Sequence, residues 1–378
     1  MTLYSIIIKK MKILYLQNRF GTGGINRITS VKENYLVSKG IEIHNLNVLD
    51  EACVPQEGMY SDKIIFHSIR MNRLNSLLSI RIFGRILRFF YFRIKLLKFY
   101  REIKPDIIVC TMPRLEPMSV LWLTRHIVRI QEFHGWYNGI KALSSSEEKE
   151  MRNRMKYYQM VALTKREADH IQRLLQQKCL YIPNATFLRP TSYSDCTNKR
   201  VLILARLVFQ KGIVPFLKHW IGVQKKHPDW ELYIVGEGPD KEKLEQEKTE
   251  YGLQTVHICP YTLHPAAEYL KSSIFLLPSV SEGWPLVVVE SMSYGVPVIA
   301  YDCPCGPSEI IQNGEDGFVT KYQDPIGMID KVNYLIEHPD VRFEMGKRAR
   351  VNIQRFSIDD IMGRWICLFN RLMSESKF

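Results

Sequence analysis

Short β-branched runs alternate with helical patterns almost from the first residue, and this alternation constrains the fold more than any other feature of the chain. Strand-like runs occur at Lys12–Leu16, Ile41–Leu46, Asp106–Cys110, Val128–Glu132, Val161–Thr164 and Leu180–Ile182, with helical patterns between them. Strands joined by helix-length crossovers pair in parallel, so this stretch predicts one doubly wound sheet. The segment Arg189–Lys199 holds Pro190, Thr191, Ser192, Ser194, Asp195 and Asn198 and reads as a linker. Beyond it the pattern restarts with Val201–Ala205, a helix from about Ile213, then Leu232–Val235, Ile274–Leu277 and Pro297–Tyr301. The chain is therefore expected to be an α/β protein of two Rossmann-like halves, with a cleft between them as the natural ligand site. The expected divisions are 1–190, a linker at 191–198, a second half at 199–356 and a closing helix at 357–378. That helix starts at Ser357-x-x-Asp360 and carries Ile361, Trp365, Phe369 and Leu372 at helical spacing.

The 378 residues are 46% apolar and 24% charged, which excludes a disordered chain and suits two domains of about 180 residues. The net charge of +13 is unevenly placed. Residues 1–195 hold 31 basic and 16 acidic side chains, +15, and the remainder carries −2. One half is thus expected to face something anionic. The eight cysteines are scattered, mostly within apolar runs, and read as reduced, buried thiols. Cys303-x-Cys305 has no second ligand pair, so no metal is expected. Ile6–Ile8 precedes Lys9 and Lys10, the reverse of a signal peptide, and Met11 is an alternative start. No run of 18 apolar residues occurs.

Two constellations carry chemistry. Arg206 follows the strand Val201–Ala205, and Lys211 opens the next helix in Arg-x4-Lys-Gly. Beyond the carboxyl end of a strand in a doubly wound sheet, two cations and a helix start suit a diphosphate; the alternative is a pair of solvated surface charges. The second is Ser281-Glu282-Gly283-Trp284-Pro285-Leu286-Val287-Val288-Val289-Glu290. The valines favour a strand, yet Pro285 suits a first helical turn and Gly295-Val296-Pro297 a terminator. As a helix, it places Glu282 in the preceding loop and Glu290 two turns on, with the N–H groups of Gly283, Leu286 and Val287 open to an anion. Carboxylates repel phosphate, so both Glu should accept hydrogen bonds from hydroxyls flanking it. One anion with hydroxylated groups on either side describes a nucleotide-diphosphate sugar.

Arg-x4-Lys-Gly, Ile234-Val235-Gly236-Glu237-Gly238-Pro239, Glu-x7-Glu, Gly306-Pro307-Ser308-Glu309 and Asn313-Gly314-Glu315-Asp316-Gly317-Phe318 follow in order. With Gly23-Gly24 after the first strand, His134 after Val128–Glu132, and Ile182-Pro183-Asn184 before the linker, the chain resembles the retaining GT-B glycosyltransferases of family 4, over nearly its whole length. The resemblance implies the GT-B fold, two Rossmann-like domains facing a central cleft, with a C-terminal helix crossing back to the first. It implies that Arg206 and Lys211 neutralise the donor diphosphate, that Glu282 touches the donor sugar and that Glu290 holds the ribose diol. Gly283, Trp284, Leu286 and Val287 would line the donor site, and Gly23-Gly24 would approach the phosphates from the other domain. His134 would lie near the transferred sugar; without the family it reads as a packed histidine at a strand end. The implied reaction retains anomeric configuration, with a donor phosphate oxygen as base; a covalent intermediate on Glu282 is the alternative. No Asp-x-Asp occurs, which agrees with cationic side chains in place of a metal. Gly-Trp-Pro stands where Gly-Phe-Gly or Gly-Leu-Pro is frequent, and Asn184-Ala185-Thr186 where Gly-Val-Asp is usual, which leaves donor choice open.

Residues 64–104 carry ten Lys or Arg and one acid, Glu102. On a helix, Phe83, Ile86, Leu87, Phe90, Ile94 and Leu97 form a stripe, with Arg81, Arg85, Arg88 and Lys95 opposite. Such a helix suits an anionic bilayer, or the stripe packs on the sheet. Nucleic acid is not an expected partner, since no recognition motif accompanies the charge. The sequence thus reads as a cytoplasmic enzyme, peripheral on the inner membrane face, that moves a hexose or N-acetylhexosamine from a UDP- or GDP-sugar to a glycan or lipid-linked acceptor in cell-surface polysaccharide assembly. No cofactor or metal is expected. A GT-B sugar-nucleotide epimerase and a catalytically silent nucleotide-sugar-binding protein are the alternatives.

Overall fold

The computed structural model describes residues 11–17, 24–48, 58–69, 83–135 and 143–375. The chain forms two compact units, residues 1–185 with 359–378, and residues 186–358.

The first unit is built on a parallel sheet of β1 (Lys12–Gln17), β2 (Glu42–Asn47), β3 (Ile65–Ser68), β4 (Ile107–Cys110), β5 (Val128–Phe133), β6 (Gln159–Ala162) and β7 (Cys179–Tyr181). Their spatial order is β3-β2-β1-β4-β5-β6-β7, so the direction of winding reverses between β1 and β4. Near-continuous apolar strands such as Ile107–Cys110 are buried on both faces, as a sheet covered by helices requires. β3, at the start of the basic segment 64–104, is a strand that the sequence reading did not mark. Among the described residues it pairs only with β2, and its short Ile-Phe-His-Ser run is half exposed, so neither an apolar run nor an alternation marks it.

The helix within that segment spans Phe83–Ile103. Leu96, Tyr100 and Ile103 are its buried line, packed with Leu14, Leu16 and Ile108 of the sheet. Of the predicted stripe, Leu97 packs partly against this core, whereas Leu87, Phe90 and Ile94 are 40%, 49% and 64% exposed. The helix is rolled so that residues one position off the predicted line meet the sheet. Arg81 lies outside the described residues, as do the side chains of Phe83, Arg85, Ile86 and Arg88. The C-terminal helix, Ile358–Glu375, completes this unit. Tyr35 donates to Asp359 Oδ1 at 3.0 Å, and Trp365 and Phe369 are buried.

The second unit repeats the plan with β8 (Arg200–Leu204), β9 (Glu231–Val235), β10 (Val256–Cys259), β11 (Ile274–Leu277), β12 (Val298–Tyr301) and β13 (Gly317–Thr320), in the order β10-β9-β8-β11-β12-β13. β10 and β13 are edge strands of four residues that the sequence reading did not mark. Winding reverses between β8 and β11. Among the cysteines described, Cys110, Cys179, Cys196, Cys303 and Cys305 are buried free thiols, Cys259 is half-buried and Cys367 is exposed.

Beneath the carboxyl ends of β1 and β2 the core of the first unit is polar. Glu33 is fully buried and accepts from Asn45 Nδ2 at 2.7 Å and Gln17 Nε2 at 3.4 Å. Burial outweighs these bonds and the nearby Lys32 ammonium, and pushes its carboxyl up to about 8 from the ordinary 4.5. The folded chain then holds a proton that the unfolded chain has released, so this group's stabilising contribution is complete below pH 4.5 and is lost as pH rises toward about 8. Glu33→Gln keeps the acceptor without the titration. Its unfolding free energy, measured in urea at a series of pH values, is expected to gain on wild type steadily from pH 5 to 8; a difference independent of pH would refute the assignment.

Candidate functional site

In an open parallel sheet the loops on either side of the winding reversal diverge and leave a crevice at the carboxyl ends of the strands. In the second unit those loops follow β8 and β11, and they carry Arg206, Lys211 and Glu282. Gly212 has φ +62°, and a Cβ there would lie 2.1 Å from the Pro278 carbonyl oxygen, so only glycine lets the two loops touch. Val280 N–H donates to the Gln210 carbonyl at 3.0 Å across the same seam. Lys211 Nζ is thereby brought to 2.7 Å from Glu282 Oε1, with both side chains largely buried. The two predicted site residues meet as an ion pair. Lys211 has further N–H donors and Glu282 a second oxygen, so each retains capacity for a ligand.

Arg206 is placed by its neighbours' backbone. A Cβ at Gly236 would stand 1.9 Å from the Ala205 oxygen, and one at Gly238 would stand 2.2 Å from the Leu207 oxygen. Leu207 N–H donates to the Glu237 carbonyl at 2.9 Å. The Gly236-Glu237-Gly238 loop after β9 therefore clamps the chain on both sides of Arg206. The arginine side chain is exposed and makes no ion pair among the described residues.

Leu286–Ser293 is a helix despite its valines, because Val288 and Val289 are buried on it and packing outweighs intrinsic preference. Pro285 occupies the N-cap with no side-chain cap, and the N–H groups of Leu286 and Val287 have no helical acceptors. Gly306, at φ +111°, lies so close that a Cβ would meet Pro285 Cδ at 2.6 Å, which fixes the entry to this helix. Glu290 is buried and accepts from Tyr269 Oη at 2.9 Å. Tyr269, on the helix Pro265–Leu270, was not a predicted site residue. No local motif marks it, since only the fold brings it to Glu290. Gly283 is half-buried, and Trp284 turns inward, its ring 5.0 Å from and perpendicular to Phe356. Burial, followed by the Glu282 charge, pushes the Cys303 thiol up to about 12, so it is an inert neighbour. Among the described residues no group of three or more His, Cys, Asp or Glu is assembled to hold a metal ion.

His134 and Gly24 belong to the first unit; Gly23 lies outside the described residues. Gly24 begins the helix Gly24–Ser38, and His134 follows β5 directly. His134 Nε2 lies 3.2 Å from Glu132 Oε2, and Lys32 Nζ lies 2.5 Å from Glu132 Oε1. The same ammonium stands 3.9 Å from the centroid of the Trp365 ring. A chain of contacts thus runs from the C-terminal helix through Lys32 and Glu132 to His134. Burial by itself would raise the Glu132 carboxyl, but Lys32 and His134 hold it well below the usual range. Burial draws the Lys32 ammonium down, offset in part by Glu132. The Glu-x-His spacing is the only local trace of this chain, and Lys32 stands 100 residues from Glu132.

Removing one member of a buried ion pair strands the other. Lys32→Met is expected to lower the unfolding free energy by about 3–5 kcal/mol, and Lys32→Met/Glu132→Gln to recover most of that loss. Urea unfolding of the singles and the double decides the matter, and strictly additive losses would dissolve the pair.

Residues 186–352 match the family model described as Glycosyl transferases group 1. An uncharacterized glycosyltransferase of Haemophilus influenzae is 33% identical over 184 residues, 48% of this chain and 52% of that protein. The amylovoran biosynthesis glycosyltransferase AmsD of Erwinia amylovora is 28% identical over 222 residues, 56% of this chain and 62% of its own. The chain thus matches only about half to three-fifths of the length of these two relatives. The crystal structure of TarM superposes with a TM-score of 0.78 at 15% identity, covering 96% of this chain and 99% of that one. The fold is therefore of the GT-B type, and the matched domain and relatives support a glycosyltransferase.

Proposed function

We propose that the protein is a retaining, metal-independent glycosyltransferase of family 4, moving a hexose or N-acetylhexosamine from a UDP- or GDP-sugar to a glycan or lipid-linked acceptor in cell-surface polysaccharide synthesis. The observation that carries this reading is the meeting of Lys211 and Glu282 across the winding reversal of the second unit, beside the uncapped start of Leu286–Ser293. A donor diphosphate there gains the Lys211 ammonium, the exposed Arg206 guanidinium and the free N–H groups of Leu286 and Val287. These groups stabilise charge as it builds on the leaving nucleotide. Glu282, already fixed by Lys211, accepts from a donor-sugar hydroxyl through its other oxygen. Glu290, held by Tyr269, takes the ribose diol. The family resemblance assigns His134, braced by Glu132, to the transferred sugar and Gly23-Gly24 to the phosphates. With a donor phosphate oxygen taking the acceptor proton, the acceptor attacks on the face the diphosphate leaves, and configuration is retained.

A TarM mutant structure is described as a complex with UDP and α-GlcNAc-glycerol, which agrees with a uridine nucleotide as the donor class. AmsD is named for amylovoran biosynthesis, in keeping with a polysaccharide acceptor. No helix among the described residues is long and apolar enough to cross a membrane. Peripheral attachment at the inner face of the membrane, through the basic helix Phe83–Ile103 with its exposed Leu87, Phe90 and Ile94, is part of the proposal.

Incubation with a panel of UDP-, GDP- and ADP-sugars in EDTA is expected to give transfer or slow donor hydrolysis, and the first-formed product should keep the donor's anomeric configuration by proton NMR. Inversion, or strict dependence on a divalent cation, would overturn the mechanism. Lys211→Ala is expected to lower kcat about ten- to a hundred-fold, and an unchanged rate would remove Lys211 from it.

A further inference from the structure

The end of the first unit opposite His134 holds a cavity of about 690 Å³ that the reaction proposed above does not use. Pro105 and Asp106, just before β4, and Val128, the first residue of β5, form its sheet side, so it sits at the amino ends of the strands. Leu97, Leu123 and Ile127 give it apolar walls. Arg101, Lys104 and His126 stand among them. All three are exposed, and none makes an ion pair among the described residues. The one carboxylate in the lining, Asp106, is engaged by the backbone N–H of Lys12 at 2.8 Å. Such a cavity repels a cation and suits an anion that carries an apolar portion.

The surface leading away from it is also apolar. On the helix Phe83–Ile103, residues 87, 90, 94, 97 and 101 fall within about 80° of one another around the axis. Leu97 and Arg101 line the cavity, and Leu87, Phe90 and Ile94 continue the same face into solvent. Trp122, 59% exposed, adjoins Leu123 on the other side. We propose that this cavity binds the phosphate headgroup of a membrane phospholipid, with Arg101, Lys104 and His126 on the phosphate and the acyl chains lying along Leu97, Ile94 and Phe90. The site deepens the membrane contact proposed above from a diffuse charged surface to one discrete lipid. Charged head and apolar chain are each needed, because exposed cations alone hold phosphate only weakly in water.

The test uses the full chain and dihexanoyl phosphatidic acid below its micelle concentration, followed by calorimetry, with UDP titrated in parallel. Saturable one-to-one binding is expected. Inorganic phosphate and glycerol phosphate should bind at least about ten-fold more weakly, since they lack the buried chains. Arg101→Gln/Lys104→Gln should weaken the lipid about ten-fold or more, and Arg101→Lys/Lys104→Arg should retain it. Ile94→Gln should weaken it as well, while Lys149→Gln/Lys178→Gln, which removes two exposed cations elsewhere on the unit, should leave it unchanged. On vesicles, the Arg101→Gln/Lys104→Gln protein should lose its preference for phosphatidic acid over an equal charge of phosphatidylglycerol. Equal binding of inorganic phosphate would reduce the cavity to an anion trap. Equal loss in the Lys149/Lys178 control would reduce it to surface charge. No lipid binding with UDP binding intact would overturn this inference and leave the donor site standing.

Discussion

The reversal of winding between β8 and β11 is the constraint on which the candidate site depends. Parallel strands wound in one direction send successive loops over the same side of the sheet. Where the direction changes, neighbouring loops part and leave room for a ligand against free backbone groups. Every residue of the second unit proposed to contact the donor sits on those two loops or on the helix that follows the second. Gly212 closes the seam between them by leaving the space a Cβ would take from the Pro278 oxygen. The Lys211–Glu282 pair is the chemical outcome of that closure.

The two units use buried charge differently. In the second, the ion pair is less completely enclosed, and its members keep donors and acceptors for a substrate. In the first, Lys32 and Glu132 are almost wholly enclosed, and the pair is made tolerable by the Trp365 ring on one side and His134 on the other. A buried pair of this kind adds little net stability but fixes geometry, because any displacement leaves a charge unmatched. It ties the C-terminal helix, β5 and His134 into one arrangement. Glu33, one residue from Lys32, shows the alternative outcome: without a close cation of its own, its carboxyl is pushed toward the neutral form.

The alternation of strand and helix was legible because a covered parallel sheet needs apolar strands at regular intervals, and the predicted strands lie within about two residues of those found. The missed strands, β3, β10 and β13, are all four-residue edge strands. An edge strand is held by one neighbour and is partly exposed, so its residues need not be apolar. The helix 286–293 was readable against its valines from Pro285 and the Gly295 terminator. The roll of the helix 83–103 was not, because its apolar residues run around more than one face.

The sequence by itself determined the fold class, the two sheets, the positions of Arg206, Lys211 and Glu282 in the loops after strands, and that of Glu290 within the helix that follows. These follow from local chemistry: periodicity, proline and glycine placement, and the spacing of charges along the chain. Tertiary structure alone decided that Lys211 meets Glu282, that Tyr269 holds Glu290, that Trp284 turns inward on Phe356, and that Lys32 braces Glu132 and His134. Each of these contacts joins side chains from separate segments, and their distances are set by how helices and loops pack on the sheet, which no local pattern encodes.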